Sequence, residues 1–539
     1  NSEQISNQSK AVAMGKRSAS RRSQKRKNEI THEEIAHPDA FNLFDSLVGR
    51  PRFGFLGEAA IETLKNRAFE ILEEYGFIFI HPEATKALKN AGAQSGTDAN
   101  RLRLPRSLVE EALVAVPKEV SLYGKKPSFD IHLPRKDGGF IMRTGTGAHG
   151  YVNPENGQYR NLDLPAVAEI AAVGNDLDEV GFIAHPFVYG VPELTSDIHG
   201  LATLIQRTDK HVWIQPYNKE NIEYLIRIAA IAAGGEQKLR QRPLASCITC
   251  SFSPLEFKFM DTEVILQAGK YGMPVHACSL PSAGGTAPLS VSGLVLMAAA
   301  EILAMVTTAH VLAPGLPVIA TPLMFTLDMR TGSALQSCVE SLQAASMSIQ
   351  LMKQGFGLPA HTYGAGSDTP DVDVQSMVER SLLAQNVALS GADILGGIGQ
   401  LECATVFSPV QAVLDNEVGG MMRQFIRVPD VSEESLNWNE ISKIRAGGHF
   451  LDSPHTLKFC RDQHTPKAFL RQDRDGYEAA NRRSAFDQAR EMALESIRNA
   501  PPEGFLGEDA KHEIAQVVID ADQHILEKAS SHRGAVSVV

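Results

Sequence analysis

The chain has 539 residues, of which 43% are hydrophobic and 21% charged, with a formal net charge of −11. That composition supports a large soluble core. The acidic balance excludes nucleic acid as a principal partner, because phosphate contacts need clustered Lys and Arg.

Residues 1–35 are polar and basic, with Lys10, Lys16, Arg17, Arg21, Arg22, Lys25, Arg26 and Lys27 and no apolar periodicity. They read as a disordered tail, either solvated or serving as a docking arm; an organelle transit peptide is the lesser alternative, because an amphipathic face is missing. No signal-peptide pattern is visible, and a cytoplasmic location is expected. Residues 36–135 read as mainly helical and as covering one end of the domain that follows. Thr63–Tyr75 carries Leu64, Ala68, Ile71 and Leu72 at helical spacing. Pro105–Val116 starts another helix, with Ser107 as the expected N-cap and Glu110 three residues on.

Between residues 136 and 425 the pattern changes. Short apolar runs occupy Ile141–His149, Gly181–Tyr189, His211–Pro216, Leu244–Phe252, Val275–Ser282, Pro317–Thr326, His361–Ser367 and Ile394–Glu402. Each breaks off at small or polar residues, and a helix-like stretch follows each, from Pro165–Leu177 to Pro409–Phe425. Strand-plus-helix units repeated eight times predict an α/β fold, a (β/α)8 TIM barrel with helical extensions at both ends. The longest apolar stretch, Val291 to Ala313, is interrupted by Glu301 and His310. A membrane span needs about 20 cleaner residues, so this stretch reads as a buried barrel helix. From residue 426 to 539 the chain is charged and helical again. Asp473–Asn499 and Glu508–Ser530 are the clearest helices, packing on the barrel or forming a contact in a homo-oligomer.

A barrel places chemistry on the loops after its strands. After the fifth strand, Gly284-Gly285-Thr286 precede Pro288. Thr286 is the expected N-cap, and exposed amides at a helix N-terminus could hold a substrate carboxylate. A tight turn needing positive φ explains the same glycines. After the seventh strand, Thr369 is the expected cap, with Pro370 at the helix start and Asp371 and Asp373 complementing the dipole. Asp368 has no such role, which makes it a candidate for facing ligand. Phe187, Tyr189, Phe252, Phe325 and Tyr363 gather near strand ends. Together they could cage a quaternary ammonium by cation–π attraction, although core packing accounts for any one of them. Glu402, at the end of the eighth strand, could supply a counter-charge.

The six cysteines are sparse and irregular, which favours a reducing compartment over a disulfide framework. Cys247 and Cys250 form a CxxC pair, but residues three apart on a strand face opposite sides. Cys250 and Cys278 could meet near the barrel top; no third ligand is evident, so no metal site is expected. Asp130-x-His132 and Asp197-x-His199 approach an Asp-x-His-x-x-Gly corrinoid signature, but Arg135 and Ala202 stand in the glycine's place. A tightly held corrinoid on this chain is therefore not expected.

Four segments carry a resemblance: Gly145-Thr146-Gly147, Gly284-Gly285-Thr286-Ala287-Pro288, Leu327-Asp328-Met329-Arg330-Thr331-Gly332, and the Gly366-Ser367-Asp368 turn followed by Asp371 and Gln375. They resemble the trimethylamine methyltransferase family across roughly residues 30 to 515. The resemblance implies a TIM barrel that hands a methyl group from an amine to Co(I) of a separate corrinoid protein. Founding members carry pyrrolysine in the barrel, and only standard residues stand here, which is similar to the non-pyrrolysine branch. That branch implies demethylation of a quaternary amine, glycine betaine foremost, by a corrinoid-dependent methyltransferase. Direct transfer to tetrahydrofolate, or betaine binding without catalysis, are the alternatives.

Overall fold

The structure, a computed structural model, describes residues 53–536 except residue 99. The basic tail expected at residues 1–35 lies outside the described residues. Eight parallel strands form the centre: β1 (Ile141–Thr144), β2 (Val180–Ala184), β3 (His211–Ile214), β4 (Ala245–Phe252), β5 (Val275–Ser279), β6 (Val318–Pro322), β7 (His361–Tyr363) and β8 (Ile394–Ile398). Neighbours pair in chain order, and β8 pairs with β1. The ring closes between β6 and β7 through a bridge from Ala320 to Ala360, where the Ala320 amide donates to Pro359 O at 2.9 Å. Helices cover the outside of the strands, so both strand faces are buried. That is why the strands read as largely apolar runs, with a few polar residues, instead of alternating ones.

The covering helices are α1 (Leu164–Asp176), α2 (Ser196–Gln206), α3 (Ile222–Ala233), α4 (Phe259–Tyr271), α5 (Val291–Leu312), α6 (Val339–Gln350), α7 (Val374–Leu389) and α8 (Pro409–Phe425). Helix α5 is long and apolar enough to cross a membrane, but most of it is buried inside the protein. Three expected caps are displaced. Ser290, not Thr286, caps α5 by accepting from the Gly293 amide. Asp373, not Thr369, caps α7 through the Ser376 amide. Ser107 lies inside a helix that spans Arg106–Ala115, with Pro105 at its N-cap position.

The region before the barrel adds short strands to its helices, and the helix expected over Thr63–Tyr75 is present as Glu58–Glu70 continued by the π-helical turn Ile71–Tyr75. Helices Glu58–Glu70, Pro82–Asn90 and Arg106–Ala115 alternate with strands only two or three residues long. Strand Phe77–Phe79 pairs with Glu256–Phe257 in the loop after β4, at the carboxyl rim. The hairpin Val120–Leu122 and Ile131–Leu133 leads to the opposite end, where Lys125 N donates to Asp209 O and Tyr123 O lies 3.0 Å from His211 Nδ1. At the other end of the chain, the helix expected over Asp473–Asn499 is split. Arg474–Ala479 ends, Asn481 and Arg482 take left-handed φ, and a Ser484–Asp487 capping box starts Ala485–Asn499. That helix packs on α8 and α1, and Glu508–Val536 packs on α3 and α2.

One buried ion pair ties the last two barrel helices to the end of β8. Arg380 on α7 and Asp415 on α8 are both essentially inaccessible. Asp415 accepts from Arg380 Nη1 at 2.8 Å, Gln411 Nε2 at 3.0 Å and the Gly399 amide at 2.7 Å. Burial pushes the carboxyl up and the guanidinium down, so the pair specifies geometry more than it stabilises. Replacing Asp415 with Ala leaves Arg380 as an uncompensated buried charge. The expected loss is about 3–5 kcal/mol, read as a large drop in the thermal midpoint; an unchanged midpoint contradicts this role.

Candidate functional site

The inside of the barrel is polar. Burial holds His211 at about 4 and pushes His276 and His361 well below their ordinary range. All three are therefore neutral imidazoles at neutral pH. Ser246 Oγ lies between two of them, 2.9 Å from His211 Nε2 and 3.1 Å from His276 Nε2. Phe182 and Trp213 fill the remaining interior by edge and tilted contacts with these rings.

Arg143, from β1, stands among them with no exposed surface. Its guanidinium carbon is 4.4 Å from the Trp213 ring centroid and 5.7 Å from that of Tyr363. Nε donates to His361 Nε2 at 2.9 Å, and Nη1 donates to Thr144 O at 2.9 Å. Since neutral His361 accepts at Nε2, its proton sits on Nδ1. A Cβ on Gly396 would lie 2.7–2.8 Å from three guanidinium atoms, so only glycine fits beneath the group. Burial lowers the guanidinium to about 10, which leaves it charged at neutral pH.

Above this layer, the strand ends carry amides. Thr146 Oγ1 donates to Gln215 Oε1 at 2.5 Å, and Gln400 Nε2 donates to Thr146 O at 2.5 Å. A Cβ on Gly145 would meet Gln400 Cγ at 2.1 Å, and one on Gly366 would meet Gln336 Nε2 at 2.5 Å. The glycines at the ends of β1 and β7 thus make room for these polar side chains. Glu301, buried on α5, accepts from the hydroxyls of Ser251, Ser253 and Ser279 and from the Leu255 amide at 2.6–3.1 Å. It pins the loop after β4 to the end of β5.

The aromatic candidates divide. Phe325 and Tyr363 meet edge to face, with centroids 5.9 Å apart, and Tyr363 is buried beside Arg143. Phe187 stacks on Tyr217 at 4.4 Å. Phe252 and Tyr189 are 53% and 45% exposed, and the Lys258 ammonium already lies over the Phe252 ring. The five rings therefore do not form one cage: Phe325 pairs with Tyr363, Phe187 pairs with Tyr217, and Phe252 and Tyr189 are exposed at the rim.

The proposed carboxylate site at Gly284–Thr286 is corrected as well. The Gly284 amide donates to Ala287 O, and the Gly285 and Thr286 amides donate to Ser282 O, all within 3.0 Å. The turn consumes its own donors, and Gly284 takes φ +83, so the tight-turn reading explains it. Asp368 accepts from the Gln336 and Ser337 amides at 2.7 and 3.0 Å, which locks the loop after β6 onto the loop after β7. Glu402 is exposed and starts a turn in which Glu402, Cys403 and Ala404 all take left-handed φ of 49, 51 and 73. The Glu402 and Cys403 amides hold that strained turn by donating to Thr369 O and Ser367 O.

Cys250 and Cys278 are register partners on β4 and β5. Their proximity, with burial, pushes the Cys250 thiol well above its ordinary value. No cluster of three metal-ligating side chains exists among the described residues. The Asp-x-His pairs are structural. Asp197 accepts from the Tyr217 amide at 2.8 Å and Asn221 Nδ2 at 2.6 Å, while His199 meets Asp522 at 3.0 Å; Asp130 pairs with Arg242.

Arg143, Gln215, Tyr217, Glu301, Gln336 and Gln400 were not singled out as site residues by sequence. Arg143 and Glu301 carried the usable signal, a charge inside an otherwise apolar run.

The family described as trimethylamine methyltransferase (MTTB) matches residues 17–521. Trimethylamine methyltransferase MttB of Desulfitobacterium hafniense (strain DSM 10664 / DCB-2) is 28% identical over 454 residues, covering 84% of this chain and 91% of that protein. A protein named glycine betaine methyltransferase, from D. hafniense (strain Y51), is 27% identical, covering 79% and 88%. The Methanosarcina barkeri monomethylamine methyltransferase MtmB structure superposes with a TM-score of 0.50 at 14% identity, covering 85% of this chain and 90% of that one.

Asp197 gives the Tyr217 loop a pH signature. Burial pushes its carboxyl up to about 7 against the pull of its N–H donors, whereas an unfolded Asp titrates near 3.9. A raised carboxyl stabilises most below the unfolded value and loses that contribution as pH rises toward 7. The thermal midpoint of wild type minus that of Asp197→Asn should therefore be more favourable to wild type at pH 5 than at pH 7.5. A pH-independent difference contradicts this.

Proposed function

The chain belongs to the trimethylamine methyltransferase family and is a methyltransferase, and on that premise we propose that it demethylates a quaternary amine, glycine betaine foremost, with Co(I) of a corrinoid on a separate protein as acceptor. The observation that carries this reading is the Phe325–Tyr363 pair at the carboxyl mouth of the ring. Aromatic faces attract a permanent cation without a proton or covalent bond.

The chemistry suits such a site. A quaternary nitrogen leaves as a neutral tertiary amine, so no general acid is required. What this chain must supply is orientation of one C–N bond, exclusion of water and a field that does not overbind the ground-state cation. Neutral histidines and hydrogen-bonded amides meet that requirement. The acceptor supplies the nucleophile.

The rim fits a docking partner that brings the acceptor. Tyr189, Leu194, Phe252, Leu289 and Met329 are all large, apolar and 41–66% exposed; Phe252 ends β4 and the other four sit on loops after barrel strands. Tyr189 and Phe252 thus fit partner docking better than the substrate cage. Six unpaired cysteines suit a reducing cytoplasm.

Phe325→Ala and Tyr363→Ala should each raise the glycine betaine KM roughly 5- to 30-fold, from about 1–2 kcal/mol of lost cation–π attraction. Steady-state assays with a reduced corrinoid protein measure this, and unchanged KM in both variants removes the pair from the site. Dimethylglycine should form only when the corrinoid protein is present. Formation with tetrahydrofolate alone would install the direct-transfer reading instead.

A further inference from the structure

The chain shows how it treats a buried arginine that serves structure alone. Arg380 has the Asp415 carboxylate at 2.8 Å, the Ser376 hydroxyl at 2.9 Å and the Gln400 carbonyl. Arg143 is buried just as fully and has none of this. Its partners are a neutral imidazole, one backbone carbonyl and two aromatic faces. Nη2 has no hydrogen-bond partner among the described residues. The group is immobilised between the Trp213 face and Gly396, so the free edge is held in place.

A lone buried cation is costly unless something completes it. It also repels a second bare cation placed beside Tyr363. An ammonium held by Phe325 and Tyr363 can sit next to Arg143 only if the same molecule brings a negative charge. The turn at Gly284–Thr286 cannot take that charge, because its amides are already bonded.

We propose that Arg143 is the specificity-determining residue of the site, receiving the carboxylate of a short zwitterionic substrate on Nη2 while Phe325 and Tyr363 hold its quaternary nitrogen. This rests on the functional reading above and deepens it by naming the residue that reads the substrate's carboxylate. Tetramethylammonium and choline, which lack the carboxylate, are excluded by charge and not by size.

Calorimetric titration of the full chain tests this with glycine betaine, its neutral amide and tetramethylammonium. Wild type should bind glycine betaine at least tenfold tighter than either of the other two. Arg143→Gln should lose at least tenfold in glycine betaine affinity while holding or improving that for tetramethylammonium; Arg143→Lys should recover part of the preference. Equal wild-type affinity for the zwitterion and tetramethylammonium overturns the proposal even if no variant folds. So does an Arg143→Gln variant that weakens all three ligands alike. Failure of every quaternary amine to bind wild type would instead overturn the functional reading, and this one with it.

Discussion

Ring closure is the constraint on which everything else depends. The joint between β6 and β7 is the thinnest in the barrel, a bridge at Ala320–Ala360. The Thr362 hydroxyl reinforces it by donating to Pro322 O at 2.5 Å. Without that joint, Phe325 after β6 and Tyr363 on β7 would not meet, and Arg143 on β1 would face solvent. Closing the ring brings side chains from distant parts of the sequence into one water-poor interior. There, charges and dipoles act more strongly than they would in water.

Closure also explains the glycines. A packed barrel interior normally fills with bulky aliphatic layers. Here the interior accommodates a guanidinium, three imidazoles, an indole and several amides, and room for them comes from backbone stripped of Cβ. Gly145 faces Gln400, Gly366 faces Gln336, and Gly396 faces Arg143. Stability given up by a polar interior is offset by the aliphatic shell between strands and helices, where residues such as Val275, Ile302 and Val318 are fully buried. The polar interior and the apolar shell are on opposite faces of the same strands.

The fold was legible because strands buried on both faces leave contiguous apolar runs of a length helices rarely match. Helix starts were less so. Pro288 and Pro370 read as first-turn residues, yet each sits in a loop that turns further before Ser290 and Asp373 cap the helices. The strands before the barrel were invisible, being too short to show a period. Among site residues, position near a strand end identified Phe325 and Tyr363, but it also selected Phe252 and Tyr189. Whether a loop aromatic points in or out depends on the path of the loop, which periodicity does not encode. The amides of Gly284–Thr286 look free in sequence, because a turn's internal hydrogen bonds leave no mark there. Arg143 was passed over for the opposite reason: it sits in an apolar run whose neighbours dominate the pattern.

What distinguishes this account from any other use of the barrel is where the permanent cation rests. A crystal structure of the protein with glycine betaine bound measures that directly. The trimethylammonium group should lie against Phe325 and Tyr363 inside the mouth, with its carboxylate turned toward Arg143. Density for the ligand at the Phe252 rim or on the Gly284–Thr286 turn, with the interior pair untouched, would contradict it.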